Sequence, residues 1–281
     1  WRISWCFWSC IFSKLFHVIT FVCETMQKYN KILFMKIAIL IPSTSKNRVW
    51  RTYQESYLFK NTIKTFLVTY NKEHNYKFFI GIDKDDPVYD NTEIQSQILR
   101  FIQVMKNIEL EFIYMENIPK GHLTKMWNIL YDKALEENYN YFFQCGDDIE
   151  FHTKDWINDC IQVLEKTNGI GLVGPINNNP RILTQSFVSR KHKDLFGYFF
   201  PPDIINWFCD DWINEVYKKI GHFYPLNNHF CNNVGGQPRY DINNDKTFRE
   251  NPNKKVAAMR EHCMKIVERD TQSLVKIGVF K

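Results

Sequence analysis

The run Tyr141-Phe142-Phe143-Gln144-Cys145-Gly146-Asp147-Asp148-Ile149 ends an aromatic, apolar segment in two adjacent carboxylates. A buried strand that closes on two like charges is costly unless something positive sits on them. A divalent cation is the natural counter-charge, because hard cations prefer carboxylate oxygens. Taken alone, the pair also reads as a solvated Asp-Asp turn. Two more acidic clusters follow apolar or aromatic segments. One is Gly81-Ile82-Asp83-Lys84-Asp85-Asp86-Pro87; the other is Asn206-Trp207-Phe208-Cys209-Asp210-Asp211-Trp212. The last cluster opens a predicted helix over 211–219. Its aromatic flanks favour a partly dry pocket, where a carboxylate acquires a raised pKa and can accept a proton. Helix N-capping is the competing reading for Asp210 or Asp211.

These clusters need a frame that brings them together, and the apolar periodicity supplies one. Strands are predicted over 36–42, 76–82, 110–115, 141–145 and 169–173. Helices are predicted over 51–70, 91–106, 123–137 and 155–166. Alternation of this kind implies an α/β fold with a mostly parallel sheet and right-handed crossovers. Ligands of such sheets bind at the carboxyl ends of the strands, where Asp83 and Asp147-Asp148 would fall together. After Pro175 the alternation breaks down into an irregular, aromatic and polar half, as a substrate-facing region does. Residues 246–279 read as a charged amphipathic helix.

Composition narrows the class. The chain has 281 residues, 44% of them hydrophobic and 16% aromatic, so a sizeable core is expected and disorder is not. A net charge of +5 without a basic run suits an anionic ligand and argues against nucleic acid. The eight cysteines include no pair at two-residue spacing and read as buried free thiols, not a disulfide framework or zinc site. Residues 1–34 read as an extension upstream of the fold, with a marginal membrane anchor or signal peptide as alternatives for the apolar stretch 5–23. The expected domains are therefore 1–34, 35–245 and a helical segment 246–281. Location is left between cytoplasmic and membrane-associated.

The ordered set of motifs resembles GT-A-fold glycosyltransferases, family 2-like, over about residues 35–240. Met35–Arg48 is similar to their opening strand and loop, with Ile41-Pro42-Ser43-Thr44 at its turn. Asp83 matches the aspartate that reads the nucleotide base, with Asp85 and Asp86 as competitors. Lys120-Gly121 through Asn128 resembles the helix that carries an Asn toward the nucleotide. Asp147-Asp148 sits where the family has its DxD motif, although Gly146-Asp147-Asp148 is not a literal Asp-x-Asp. Cys209-Asp210-Asp211 looks like the xED motif with Asp for Glu. Phe196-Gly197-Tyr198 resembles a glycine loop near the acceptor, and His229 falls where many members place a metal-binding His.

The resemblance implies a GT-A-like, Rossmann-related sheet flanked by helices, and a metal-dependent, inverting transfer of a sugar from a UDP- or GDP-linked donor. Asp148 and His229 would hold Mn²⁺ or Mg²⁺. Asp211, with Asp210, would be the catalytic base. Pro42, Ser43, Asp83, Asp85, Lys120, Asn128, Asp147 and Gly197 would line the donor side. The acceptor (glycan, protein or lipid) is not indicated. Trp207, Phe208 and Trp212 read as pocket wall or core, with stacking on a sugar as the alternative. Arg190, Lys191, Lys193 and Arg239 are weaker candidates for phosphate contact. Two other functions compete: a nucleotidyltransferase, against which the glycine-free loop Ser43–Arg48 counts, and a catalytically silent sugar- or nucleotide-binding protein.

Overall fold

In a computed structural model of the chain, the structure describes residues 34–119, 121–235, 252–276 and 278–279. The expectations for residues 1–33, Lys120 and Arg239 lie outside the described residues.

The strands are β1 (Lys36–Pro42), β2 (Asn75–Ile82), β3 (Ile108–Tyr114), β4 (Tyr141–Gln144), β5 (Ile149–Phe151), β6 (Leu172–Ile176), β7 (Ser186–Ser189) and β8 (Phe223–Asn233). The helices are α1 (Lys64–Thr69), α2 (Thr92–Ile102), α3 (Leu123–Glu136), α4 (Trp156–Lys166), α5 (Lys191–Phe196), α6 (Cys209–Lys219) and α7 (Pro252–Lys276). A π-helical stretch, Leu58–Ile63, leads into α1. The strands form one sheet in the order β3-β2-β1-β4-β7-β6-β8-β5.

β3, β2, β1 and β4 are parallel, in a register that sets Leu40 beside Phe79 and Gln144. β1, β2 and β4 are buried along nearly their whole length because helices cover both faces, whereas the edge strand β3 alternates, with Glu109 and Glu111 between Ile108, Leu110 and Phe112. Alternation divides the runs between two cores. Ile37, Ile39, Ile41, Phe78, Ile80 and Phe143 pack with the π-helical stretch, α1, α2 and α4. Ala38, Leu40, Phe79 and Phe142 pack with α3, α6 and α7 on the other face. In α7, Cys263, Ile266, Val267 and Leu274 are buried in this second core, so the expected charged helix carries a full apolar stripe.

The second half of the sheet is less parallel than expected. β7 runs antiparallel to both β4 and β6, β8 is parallel to β6, and β5 is antiparallel to β8. β7 and β8 lie in the region that reads as irregular. β7 is only four residues long and buried on both faces, so Ser-Phe-Val-Ser shows no alternation. β8 carries Pro225 and pairs with β6 across an irregularity at Pro175/Ile176, which breaks its period. Sheet, flanking helices and C-terminal helix agree with the GT-A-like architecture that the resemblance implied. Cys145, Cys160, Cys209, Cys231 and Cys263 are buried free thiols, as expected. Among the described residues, no helix is long and apolar enough to cross a membrane.

Candidate active site

At the carboxyl end of β1 the chain turns sharply, and a buried carboxylate holds the turn. Asp86 accepts hydrogen bonds from the Thr44 hydroxyl (2.7 Å), the Ser45 amide (2.7 Å) and hydroxyl, and the amides of Val88 (3.1 Å) and Tyr89 (2.8 Å). This competitor for base reading is therefore a staple between the loops after β1 and β2. Ser43, next to it, donates its amide to Gly81 O (2.8 Å) and its hydroxyl to Asp147 Oδ2 (2.6 Å). The first half of the sheet thus grips the acidic pair after β4 directly.

That pair divides its work. Asp147 is fully buried against Ser43. Asp148 is half-buried and opens into a cavity of about 300 Å³. Its loop is fixed on both sides. The Ile149 amide donates to Thr62 Oγ1 of the π-helical stretch (2.9 Å), and the Val234 amide donates to Asp148 O (3.1 Å). Gly146 gives the carboxylate its room, since a Cβ there would stand 2.7 Å from Asp148 Oδ1.

The cavity is walled by Pro42, Ser43, Thr44 and Arg48 from the first loop, Trp127 from α3, Gln144 and Asp148 from β4 and its loop, Thr184 and Gln185 before β7, and Trp207 and Asp210 at α6. Arg48 lies over the rings of Trp50 (5.7 Å) and Tyr57 (5.3 Å) and adds a cation to a wall that holds two carboxylates. An adjoining cavity of about 450 Å³ shares Thr44 and Met126 with the first and is lined by Lys46, Asp83 and Gly121. Lys46 Nζ stands 3.8 Å from Asp83 there.

Asp210 sits in the first turn of α6. Burial, then the adjacent charge of Asp211, pushes its carboxyl from the ordinary value near 3.8 up to about 7. The preceding Phe208 has φ 73°, in the left-handed region; every other non-glycine residue described there is Asn or Asp. Such a conformation in a bulky residue stores on the order of 1–2 kcal/mol. The strain therefore sits at the turn that aims Asp210. Asp211 does not line the cavity. Besides raising Asp210, its charge acts on Cys263 of α7, whose thiol is pushed up to about 12 mainly by burial and then by Asp211.

Several expected donor-side residues are placed elsewhere. Asp85 is exposed with φ 59° and donates its amide to Asp90 (2.8 Å), away from both cavities. Asn128 clamps the segment after α5, accepting from the amides of Phe199 (3.0 Å) and Phe200 (2.9 Å) and donating to Phe200 O (2.8 Å). Gly197 ends α5 in the left-handed region and lines neither cavity. His229 is buried, with its ring nitrogens on Thr153 Oγ1 (3.1 Å) and Asp159 Oδ2 (2.8 Å), so its partners belong to α4 and the turn before it. Arg190 donates to the carbonyls of Tyr139 and Leu135, and Lys193 pairs with Asp132. Trp212 is core, and its indole donates to Asp270 (3.0 Å).

The structure adds wall residues that sequence reading missed: Trp127, Gln144, Thr184, Gln185 and Asn233. Gln144 carried a signal, as a polar side chain inside an aromatic strand; Thr184 carried none. Among the described residues no group of three or more His, Cys, Asp or Glu is arranged to hold a metal ion. A hard cation can take a single carboxylate and complete its shell with phosphate oxygens and water, and Asp148 is the carboxylate that the loop after β4 presents to the cavity.

No protein-family model matches the chain, and no curated protein matches it. Several solved structures are similar to it in fold. One is the mannosyltransferase PcManGT from Pyrobaculum calidifontis in complex with GDP-Man and Mn²⁺: TM-score 0.49, 11% identity, 73% of this chain and 58% of that one. Another is S. aureus TarS: TM-score 0.47, 13% identity, 70% of this chain and 36% of that one. A third is TarS 1–349 in complex with UDP-GlcNAc: TM-score 0.46, 12% identity, 72% of this chain and 60% of that one. The chain thus spans between about a third and three fifths of their lengths, and at this distance the likeness is one of fold.

Proposed function

We propose that the chain transfers a glycosyl group from a nucleoside diphosphate sugar to an acceptor hydroxyl, with inversion. The observation that carries this reading is the meeting of Asp148 and Asp210 in one cavity, from elements far apart in sequence, with Asp210 poised to titrate near neutral pH. The nucleoside would lie in the adjoining cavity beside Asp83, Lys46 and Gly121, and the diphosphate between Asp148 and Arg48. A divalent cation on Asp148 would neutralise charge on the departing diphosphate. Asp210 would take the proton of the acceptor hydroxyl. The freed oxygen attacks the anomeric carbon from the face opposite the diphosphate, whose bond to the sugar breaks with the electron pair leaving on the phosphate oxygen. Ionised Asp210 is the competent form, so the base is half available near pH 7.

Calorimetry with UDP and GDP, with and without Mn²⁺, tests the proposal. Nucleoside diphosphate binding that strengthens with Mn²⁺ and is lost in Asp148→Asn is the expected result. Absence of binding to either nucleotide in the wild type would refute it and favour a silent scaffold.

A further inference from the structure

Three buried polar atoms on the cavity wall have no hydrogen-bond partner among the described residues: Trp127 Nε1, Gln144 Oε1 and Thr184 Oγ1. They come from three separate elements, α3, the end of β4 and the segment entering β7. The pairing of Gln144 with Ser186 puts two of them on neighbouring strand ends. Gln144 is 1% exposed and Trp127 is 6% exposed. Folded proteins leave few such groups unpaired, and each is costly. Three on one wall, in a cavity that also holds two carboxylates, point to a ligand that supplies the missing partners.

Their chemistry identifies that ligand. An indole N–H only donates, an amide oxygen only accepts, and a hydroxyl does both. The doubly esterified diphosphate of a nucleotide sugar cannot satisfy Gln144 Oε1, because it carries no proton at neutral pH. A purely apolar group satisfies none of the three. A sugar ring presents several hydroxyls, each both donor and acceptor. Trp207, 41% exposed on the same wall, offers an apolar face beside them.

We propose that Trp127, Gln144 and Thr184 read the hydroxyls of the donor sugar and so set which sugar is transferred; this rests on the glycosyl-transfer reading above. Gln144 stands just upstream of Asp148 on the same strand end, which places the trio next to the group that would hold the diphosphate.

The test measures binding of free UDP and GDP and of a panel of UDP- and GDP-linked hexoses, with Mn²⁺, to wild type, Gln144→Leu, Thr184→Val and Trp127→Phe. The expected result is a sugar-nucleotide affinity reduced about tenfold or more in Gln144→Leu and Thr184→Val, with nucleoside diphosphate affinity held within about twofold. The ligand-free melting temperature of these two should stay or rise, since an orphaned polar atom is removed; a structural role would lower it. Should Gln144→Leu fail to fold, Thr184→Val and Trp127→Phe decide. Equal loss of affinity for nucleotide and sugar nucleotide, or no loss for either, overturns the assignment. So does intact sugar-nucleotide binding with impaired transfer, which would move the trio to the acceptor. If wild type binds nucleoside diphosphates but the variants keep their sugar preference, this assignment falls alone. If wild type binds no nucleotide, the proposed function falls and takes it along.

Discussion

Strands β3, β2, β1 and β4 pair in parallel, β1, β2 and β4 being buried almost throughout, and one buried carboxylate, Asp86, pins the loops after β1 and β2. Strands β7, β6, β8 and β5 change direction repeatedly, and long-range side-chain bonds carry the structure around them. Asn128 and Thr124 of α3 hold the segment after α5, Asn214 of α6 brackets Leu183, and Asp270 of α7 accepts from Tyr198 OH (2.9 Å), Trp212 Nε1 (3.0 Å) and Arg269 Nε (2.8 Å). The first region delivers Asp83 through backbone register, and Asp148 through the end of β4 with its loop held by the Thr62 hydroxyl and by the Val234 amide after β8. The second delivers Asp210 through a strained turn and a network that reaches the C-terminal helix. Carboxylates placed by register should tolerate surface change nearby; one placed by a network should not.

Removing the two cavity carboxylates is the largest break. Asp148→Asn and Asp210→Asn should each lower the rate of sugar transfer by about a hundred- to ten-thousand-fold. Asp211→Asn should cost far less than either, measured as kcat on one donor. If Asp211→Asn is the more damaging, the base belongs to Asp211 and the cavity geometry misleads.

Staple removal sharpens the comparison through stability. Asp86→Ala and Asp270→Ala each strip a buried acceptor from several donors and should cost about 3 kcal/mol by chemical denaturation. Asp270→Ala should also lower kcat through α6, in a folded population and at unchanged nucleoside diphosphate affinity. Asp86→Ala should weaken nucleotide binding instead. Identical effects on both readouts would erase the distinction between the halves.

Acid should unfold the second region selectively. His192 is buried between Tyr217 OH (2.9 Å) and Phe199 O (2.9 Å), and burial lowers its pKa from 6.5 to about 4. Between these values the unfolded chain binds more protons than the folded one, so stability falls as pH drops from 6.5 toward 4. The loss is on the order of a few kcal/mol. Hydrogen exchange at pH 5 should show α5 and α6 opening before β1 and β2.

Asp210 has the opposite sign. Its folded pKa, about 7, lies above the ordinary 3.8, so the folded state holds the proton more tightly. Its stabilising contribution is complete below pH 3.8 and is lost as pH rises to about 7. Asp210→Asn should therefore be more stable than wild type at pH 8, while wild-type kcat rises with pH through about 7. The smallest expected effect is at His229, which is tied to α4: His229→Gln should leave metal-dependent nucleotide binding within about twofold.

The parallel half, with Asp83 and the acidic pair at its strand ends, was legible because its information is local: continuous apolar runs, helical spacing between them, and a rule about where such sheets bind ligands. Other features were decided only by tertiary structure. Nothing in the sequence separates Asp210 from Asp211, since adjacent helical residues point about 100° apart and only the docking of α6 against α7 chooses which one meets the cavity. The same holds for Asn128 and His229, whose polar groups were claimed by Phe199, Phe200, Thr153 and Asp159, partners distant in sequence. Thr184 gained a place in the wall only when β7 slid in beside β4. Apolar pattern fixes which surfaces must be buried; which polar atom ends up without a partner depends on where every other segment has gone.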